Sequence, residues 1–420
     1  MINVCFFNSN MFWGGGEKLH LEYALEFKKK NYNVTMIAKN GSALSKASRK
    51  NELELFHISV GNISFLNPVK IIKLVRFFRQ SKIDTVVFSG SQDLKLGSIA
   101  AKLACVKRIV YLRGLAVPVK YRILNHFIFK FVLTHIVANS QETKRSILLN
   151  MGKYIDSKKV KTIYHGIEIE SSNSCYNQKN EIIISKGKGV ILGSAGRLTK
   201  QKGQHYLIEI ALKLKEKGIK FTLFIAGTGE LEAELNSLIV LHNLQKEVIL
   251  LGFVGDMDAF MNSIDIFLLT SVWEGFGYVL VEAMLKSKPV VAFNITSNPE
   301  IVTQNETGYL VNYPDVDLFA EKTLQLIQNK AIRTQLGENG KMSVINRFNI
   351  SDRITEFEYY LLGKNFISQN KLSYIKQSRT FTPHSFGMIS RLQRIRKKQR
   401  KNTIHKLNSI IFFIISLFNL

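Results

Sequence analysis

The sequence predicts an α/β protein: two Rossmann-like, doubly wound domains facing a central cleft, with a basic C-terminal tail. Three observations predict the two-domain layout. Short β-rich runs alternate with longer helical patterns almost throughout, and the alternation restarts after a polar stretch near the middle. The 420 residues, 46% of them hydrophobic, also suffice for two cores.

In the first half the expected strands are residues 2–7, 33–38, 54–58, 85–89, 108–112 and 135–138, with helical patterns such as 18–30, 69–80 and 94–103 between them. The second half repeats the theme with strands at 189–194, 222–226, 248–252, 266–270, 289–293 and 309–311. Strands joined through helices run parallel, because a parallel pair needs a crossover. Residues 171–188 are rich in Ser, Asn and Lys without helical periodicity, and read as a linker. The expected organisation is a first domain over 1–170, this linker, a second domain over 189–345, a closing helix over 346–363 packing back towards the first domain, and a tail over 364–420. Open α/β sheets bind ligands at the carboxyl ends of their strands, so two facing sheets share one cleft.

Charge narrows the partners. Lys and Arg number 58 against 32 Asp and Glu, a net +26, which attracts polyanions: nucleic acid, anionic lipid or phosphorylated substrates. Cys5, Cys105 and Cys175 lie far apart with no C-x-x-C spacing, which argues against a zinc ribbon or a disulfide framework and suits a reducing compartment. The opening MINVCFFNSN lacks the basic start and apolar core of a secretory signal, and no apolar run reaches the ~20 residues of a membrane-spanning helix. The expected location is cytoplasmic, peripheral on the inner face of the cell membrane.

Four stretches, each expected at a strand-to-helix junction, carry the chemistry. Trp13-Gly14-Gly15-Gly16-Glu17-Lys18 follows the first strand; its glycines allow close approach of a ligand and the next helix offers free N–H groups to an anion, although a flexible turn has the same composition. Gly193 to Gly203 places Arg197 and Lys202 at the cleft mouth, a fork and a point charge suited to two phosphates, or simply two solvated cations. Ser271 to Met284 is the most specific stretch. Glu274 precedes Gly275-Phe276-Gly277, and Glu282 lies eight positions on, inside the following helix. That spacing puts the carboxylates on different faces, so it suggests two grips on one elongated ligand rather than a metal site or an acid/base dyad. The backbone amides of Phe276, Gly277, Tyr278 and Val279 at the helix start suit sugar or phosphate oxygens. In the fourth stretch, Ser297 or Asn298 is expected to cap a helix beginning at Pro299, with Glu300 favouring that helix's own dipole.

Taken in order, Gly196-Arg197-Leu198 with Lys202-Gly203, Ala226-Gly227-Thr228-Gly229, Leu251-Gly252-Phe253, the E-x7-E pair Glu274/Glu282, the strand from Pro289, and Pro299-Glu300-Ile301-Val302 resemble the donor half of retaining glycosyltransferases of family 4, which have the GT-B fold. The motifs are dense from Gly193 to Val302 and sparser over the rest of residues 1–345. Tyr164-His165-Gly166-Ile167-Glu168 resembles the family's Asn-Gly-Ile-Asp hinge, but His and Glu replace Asn and Asp, and no ligand role is assigned to it. The resemblance implies that Arg197 and Lys202 neutralise the donor diphosphate as the glycosidic bond breaks, with Gly196 beside them. It implies that Glu274 orients the donor sugar and Glu282 the ribose, while Gly15 and Gly16 close over the phosphates from the other domain. It further implies retention of anomeric configuration by attack on the face the nucleotide leaves, without a dedicated protein nucleophile. The nucleotide-sugar is then a co-substrate, and no cofactor or metal is expected. Asp256-Met257-Asp258 matches a metal-binding D-x-D of the other major transferase fold, but here it reads as a helix start.

The acceptor side is less legible. Many relatives carry a histidine after a central strand of the first domain, where this chain has Arg113-Gly114-Leu115. Arg113 reads equally as a contact to an anionic acceptor or as a strand end. His126 reads as a surface or packing residue, and Asp93 is a further candidate. Lys70, Lys73, Arg76 and Arg79 recur every third position among Ile72, Phe77 and Phe78, and Lys120, Arg122 and Lys130 interleave with Phe127, Phe129 and Phe131. Both patterns suit an anionic membrane surface, or cations beside core aromatics. From Tyr359 to Leu420 there is no acid and 12 Lys or Arg, ending in IIFFIISLFNL. Those last residues would extend ~16 Å as a helix, short of a ~30 Å hydrocarbon core, so the tail reads as an interfacial anchor rather than a span.

The reading is a glycosyltransferase acting on a lipid-linked or cell-surface glycan at a membrane, with no nucleic acid partner. Two alternatives stand beside it: a nucleotide-sugar epimerase or hydrolase on the same fold, and a non-catalytic basic scaffold.

Overall fold

A computed structural model of the chain describes residues 2–169 and 189–363. The expected linker and tail lie outside the described residues. Two parallel sheets organise the rest. The first contains β1 (Asn3–Phe7), β2 (Asn33–Ala38), β3 (Glu54–His57), β4 (Thr85–Phe88), β5 (Arg108–Arg113), β6 (His135–Ala138) and β7 (Val160–Thr162), in the order β3-β2-β1-β4-β5-β6-β7. The second contains β8 (Val190–Ala195), β9 (Phe221–Ala226), β10 (Val248–Gly252), β11 (Ile266–Leu269), β12 (Val290–Phe293) and β13 (Gly308–Val311), in the order β10-β9-β8-β11-β12-β13. Each expected strand is present, with ends shifted by a residue or so. The addition is β7, whose three residues Val-Lys-Thr are too few and too polar to show a period.

Helical crossovers cover the sheets, so central strands must be apolar on both faces. β9 (FTLFIA) and β11 (IFLL) accordingly bury every residue. In the first sheet Phe6 of β1 lies in register with Met36 of β2 and Val87 of β4, and all three are buried. Strand order reverses between β1 and β4 and between β8 and β11. These are the switch points where a doubly wound sheet opens a crevice at its carboxyl edge. The glycine loop after β1, the Arg197–Lys202 loop after β8 and the Glu274 loop after β11 all start there.

The chain ties its two halves together at both ends of the second domain. The Ile350–Leu361 helix starts at Asn349, whose side chain accepts from Ser351 N–H at 3.0 Å. It buries Ile354 and Phe357 in the first domain's core, with the Phe357 ring 5.4 Å from Tyr23 and 6.0 Å from Phe27. Burying one such ring contributes roughly 2–3 kcal/mol. Lys30 pairs with Glu358 at 2.7 Å beside it. Next to this helix, Ile167 N–H donates to Phe348 at 2.7 Å and Ile350 N–H donates to Ile167 at 3.0 Å.

One ambiguity is resolved and one expectation is corrected here. Of the rings interleaved with cations, Phe78, Phe127 and Phe129 are buried core aromatics and Phe77 stacks on Phe56 at 4.1 Å, while Phe131 and the aliphatic Ile72 are exposed, because the helical period turns the other rings inward. Neither Ser297 nor Asn298 caps the short Asn298–Ile301 helix with its side chain. Ser297 Oγ donates instead to the Glu274 carbonyl at 3.4 Å, and Asn298 Nδ2 to the Phe293 carbonyl at 2.9 Å, which pins this turn to the loop after β11.

Candidate active site

The site is built where these strand ends meet. After β8 the chain runs through Gly196 and Leu198 alongside the loop after β9: Gly196 N–H donates to Ala226 at 2.9 Å and Leu198 N–H to Thr228 at 3.0 Å. Gly227 has φ +137°, and a Cβ there would lie 2.0 Å from the Gly196 carbonyl oxygen, so only glycine fits. This double loop leaves Arg197 exposed and turns Lys202 towards the end of β11.

Lys202 and Glu274, expected at the diphosphate and the sugar respectively, form one ion pair, Nζ to Oε1 at 2.5 Å, with side chains 16% and 8% exposed. Ser271 Oγ donates to the same carboxylate oxygen at 2.6 Å, and Glu274 N–H donates to Thr296 Oγ1 at 2.9 Å. Removing either charge would strand the other in a poorly hydrated place, at a cost of about 3–5 kcal/mol for a buried pair. Glu274 is therefore held rigidly, with its second oxygen, Oε2, outside this pairing.

The next residues touch the first domain. Gly275 lies so close to the loop after β5 that a Cβ there would meet the Gly114 carbonyl oxygen at 1.7 Å; Thr143 Oγ1 donates to the Gly275 carbonyl at 3.4 Å and Asn139 Nδ2 to that of Gly114 at 3.3 Å. The Phe276 side chain is buried, 5.1 Å from His165 and 5.5 Å from Phe348, which leaves only its backbone for a ligand. His165 is neutral packing: burial pushes its pKa down to about 3. Gly277 caps the Tyr278–Leu285 helix, whose first-turn amides, Tyr278 and Val279 among them, have no acceptor within the helix.

Facing this helix start is another, the Gly15–Lys29 helix of the first domain. The loop before it is held by two buried acids. Asp93 accepts from Ser9 Oγ at 2.5 Å and from Ser9 N–H at 3.1 Å, with burial raising its pKa to about 6, and Glu17 accepts from Asn8 and Asn10 at 3.0 and 2.9 Å. Gly15 and Gly16 are exposed, and a Cβ on either would meet no atom within 4 Å. One turn on, Lys18 Nζ reaches across to Glu282 Oε1 at 2.7 Å and lies 4.6 Å from the centre of the Tyr278 ring. The Tyr278 hydroxyl lies 3.4 Å from Glu22 Oε1, and burial raises the Glu22 pKa to about 7.

Glu300 lies in the first turn of its own short helix, as expected, and also serves a second one. Its carboxylate accepts from the backbone N–H groups of Gln141 and Glu142, at 2.7 and 2.9 Å, at the start of the Gln141–Met151 helix of the first domain. Arg113 is turned inward: its guanidinium donates to Tyr111 Oη at 2.9 Å and to the Val117 carbonyl, shaping the loop beside Gly114. His126 packs against Tyr154 at 4.2 Å. Asp256 caps the Met257–Ser263 helix by accepting from Ala259 N–H at 2.9 Å, and Asp258 pairs with Lys286 at 2.9 Å. Sequence reasoning assigned no role to Lys18, Glu22, Asn139 or Thr296; only Lys18, inside the glycine-loop motif, carried a signal.

The family model for Glycosyltransferase Family 4 matches residues 13–171, and that for Glycosyl transferases group 1 matches residues 177–343. The chain belongs to the family 4 glycosyltransferases. This glycosyltransferase is 29% identical over 368 residues to the capsular polysaccharide biosynthesis glycosyltransferase CapM of Staphylococcus aureus, across 83% of this chain and 94% of that one. It is 28% identical over 313 residues to the UDP-Gal:alpha-D-GlcNAc-diphosphoundecaprenol alpha-1,3-galactosyltransferase of Escherichia coli, across 71% of this chain and 80% of the relative. Among solved structures, Anabaena Alr3699/HepE in complex with UDP-glucose matches with a TM-score of 0.74 at 21% identity, over 86% of this chain and 100% of that one. The fold is GT-B.

Proposed function

We propose that this glycosyltransferase moves a sugar from a UDP-sugar to a lipid-linked or cell-surface glycan, with retention of configuration and without a metal ion. The observation that carries this reading is the meeting of two helix starts from opposite domains. Gly15 and Gly16 leave space that no protein atom fills, and Lys18, one turn on, packs over Tyr278, the first residue of the other helix. Helix starts favour anions, and a nucleoside diphosphate has the length to reach both. Glu274 then holds the sugar hydroxyls and Glu282 the ribose, while Arg197 and Lys202 supply the positive charge.

The bond from the sugar C1 to the β-phosphate oxygen breaks, and its electron pair leaves with UDP. An acceptor hydroxyl forms the new C1–O bond on the same face and passes its proton to the departing phosphate oxygen. Two cations beside the diphosphate stabilise the charge that develops there, the task a divalent ion performs elsewhere. The choice of UDP follows the E. coli relative and the Anabaena structure, both named with UDP-sugars. The acceptor class follows the relatives named for diphosphoundecaprenol and capsule.

Membrane residence is part of the proposal. Ile63, Val69 and Ile72 are 74%, 72% and 50% exposed beside Lys73 and Arg76, and Leu115, Tyr121, Ile123 and Phe131 are exposed beside Lys120, Arg122 and Lys130. Apolar tips among cations suit an anionic bilayer. Among the described residues, no helix is long and apolar enough to cross a membrane.

The test is thermal stabilisation by UDP-, GDP-, ADP- and CMP-sugars in EDTA, with co-sedimentation on anionic vesicles. A selective rise in Tm with one UDP-sugar, lost in Arg197→Ala, is expected, together with salt-sensitive pelleting. No stabilisation by any donor would overturn the donor site, and no pelleting at low salt would overturn the membrane reading.

A further inference from the structure

Glu282 stands on the second domain, yet the nearest cation to it comes from the first. Lys18 Nζ is 2.7 Å from Glu282 Oε1, 3.9 Å from Glu22 Oε1, and packed over the Tyr278 ring. Burial opposes the ammonium charge, but the Glu282 and Glu22 carboxylates outweigh it and raise the Lys18 pKa. The contact spans the cleft one turn beyond Gly15 and Gly16. It engages only one oxygen of Glu282, whose side chain is 11% exposed. We propose that Lys18 is a positioning residue: it reaches across the cleft to orient Glu282, so that this carboxylate presents a fixed oxygen to a ribose.

The inference rests on the reading of Glu282 as the ribose grip. Its physical content is a division of labour between two oxygens. A carboxylate accepts through both, and a lysine fixed on Oε1 leaves Oε2 to accept from a ribose hydroxyl in a set direction. Without Lys18, the Glu282 side chain regains its rotamers and must be ordered by the nucleotide itself. The glycines on the same helix turn place the diphosphate, and Lys18 makes the opposite domain responsive to that placement.

The experiment uses the full chain and two probes, UDP and 2′,3′-dideoxy-UDP, with binding measured by calorimetry. Wild type should prefer UDP by about tenfold, the size expected of one charge-assisted hydrogen bond to a ribose hydroxyl. Lys18→Met, which keeps the length and removes the charge, should weaken UDP by a similar factor and erase the preference. Lys18→Arg should restore part of it. The Lys18→Met/Glu282→Gln double variant should be no worse than either single one, since both break the same link. Lys18→Met with wild-type preference for UDP, beside an impaired Glu282→Gln, overturns the positioning role and leaves the donor site standing. A wild-type chain that does not bind UDP overturns the donor reading itself, and this inference with it.

Discussion

The two halves of the cleft both use glycine, for opposite reasons. In the second domain Gly227 and Gly275 have no room for a side chain, because a Cβ would lie 2.0 Å from the Gly196 carbonyl and 1.7 Å from that of Gly114. In the first domain Gly15 and Gly16 have no neighbour within 4 Å of where a Cβ would stand, and both sit at a helix start, where glycine is a weak helix former. The first pair is explained by the protein's own packing. The second pair is not, and an external ligand that needs the space accounts for it. Glycine in a motif is therefore ambiguous in sequence, and the emptiness around it in the structure separates the two uses.

The largest effect should come from Gly227→Ala. Both φ +137° and the facing carbonyl oppose a side chain, so denaturant unfolding should show a loss of about 3 kcal/mol. An unaltered midpoint would mean that the double loop relaxes easily, and the contrast with the first domain would disappear.

How much of this was legible in the sequence depends on what carried the signal. The strands were legible because buried parallel strands are short apolar runs, as β9 and β11 are. Glu274 and Lys202 were legible as residues but not as partners, since 72 positions separate them and only the fold of two switch-point loops unites them. The Lys18–Glu282 and Glu300–Gln141 contacts cross between domains, and no local period encodes such a contact. Arg113 was legible as a cation at a strand end, but its inward turn depends on Tyr111 and on the Val117 carbonyl, four residues on.

A smaller, pH-dependent effect sharpens the comparison on the same helix as the open glycines. Glu22 faces Lys18, Glu282, Tyr278 and Glu168, and burial, with the nearby acids, raises its pKa from 4.5 to about 7 despite Lys18. The folded state then binds an extra proton between those values, so Glu22 favours folding at low pH, and that contribution is lost as pH rises from 4.5 to about 7. His20 and His165, with pKa values lowered by burial to about 3, act in the opposite direction below their ordinary 6.5. The difference in Tm between wild type and Glu22→Gln isolates the acid. It should shift in favour of the variant as pH rises through the Glu22 window, and a constant difference would mean that Glu22 is charged throughout.

The most direct measurement is the paired stability and donor affinity of Gly15→Ala/Gly16→Ala. Replacing exposed helix-start glycines should leave Tm unchanged or raise stability by up to about 1 kcal/mol per site. UDP affinity should fall at least tenfold, because the added methyl groups stand where the diphosphate would pass. Stability kept and UDP binding lost is the predicted result. UDP binding equal to wild type would contradict the account, because the open space beside the two helix starts would then not be the donor's.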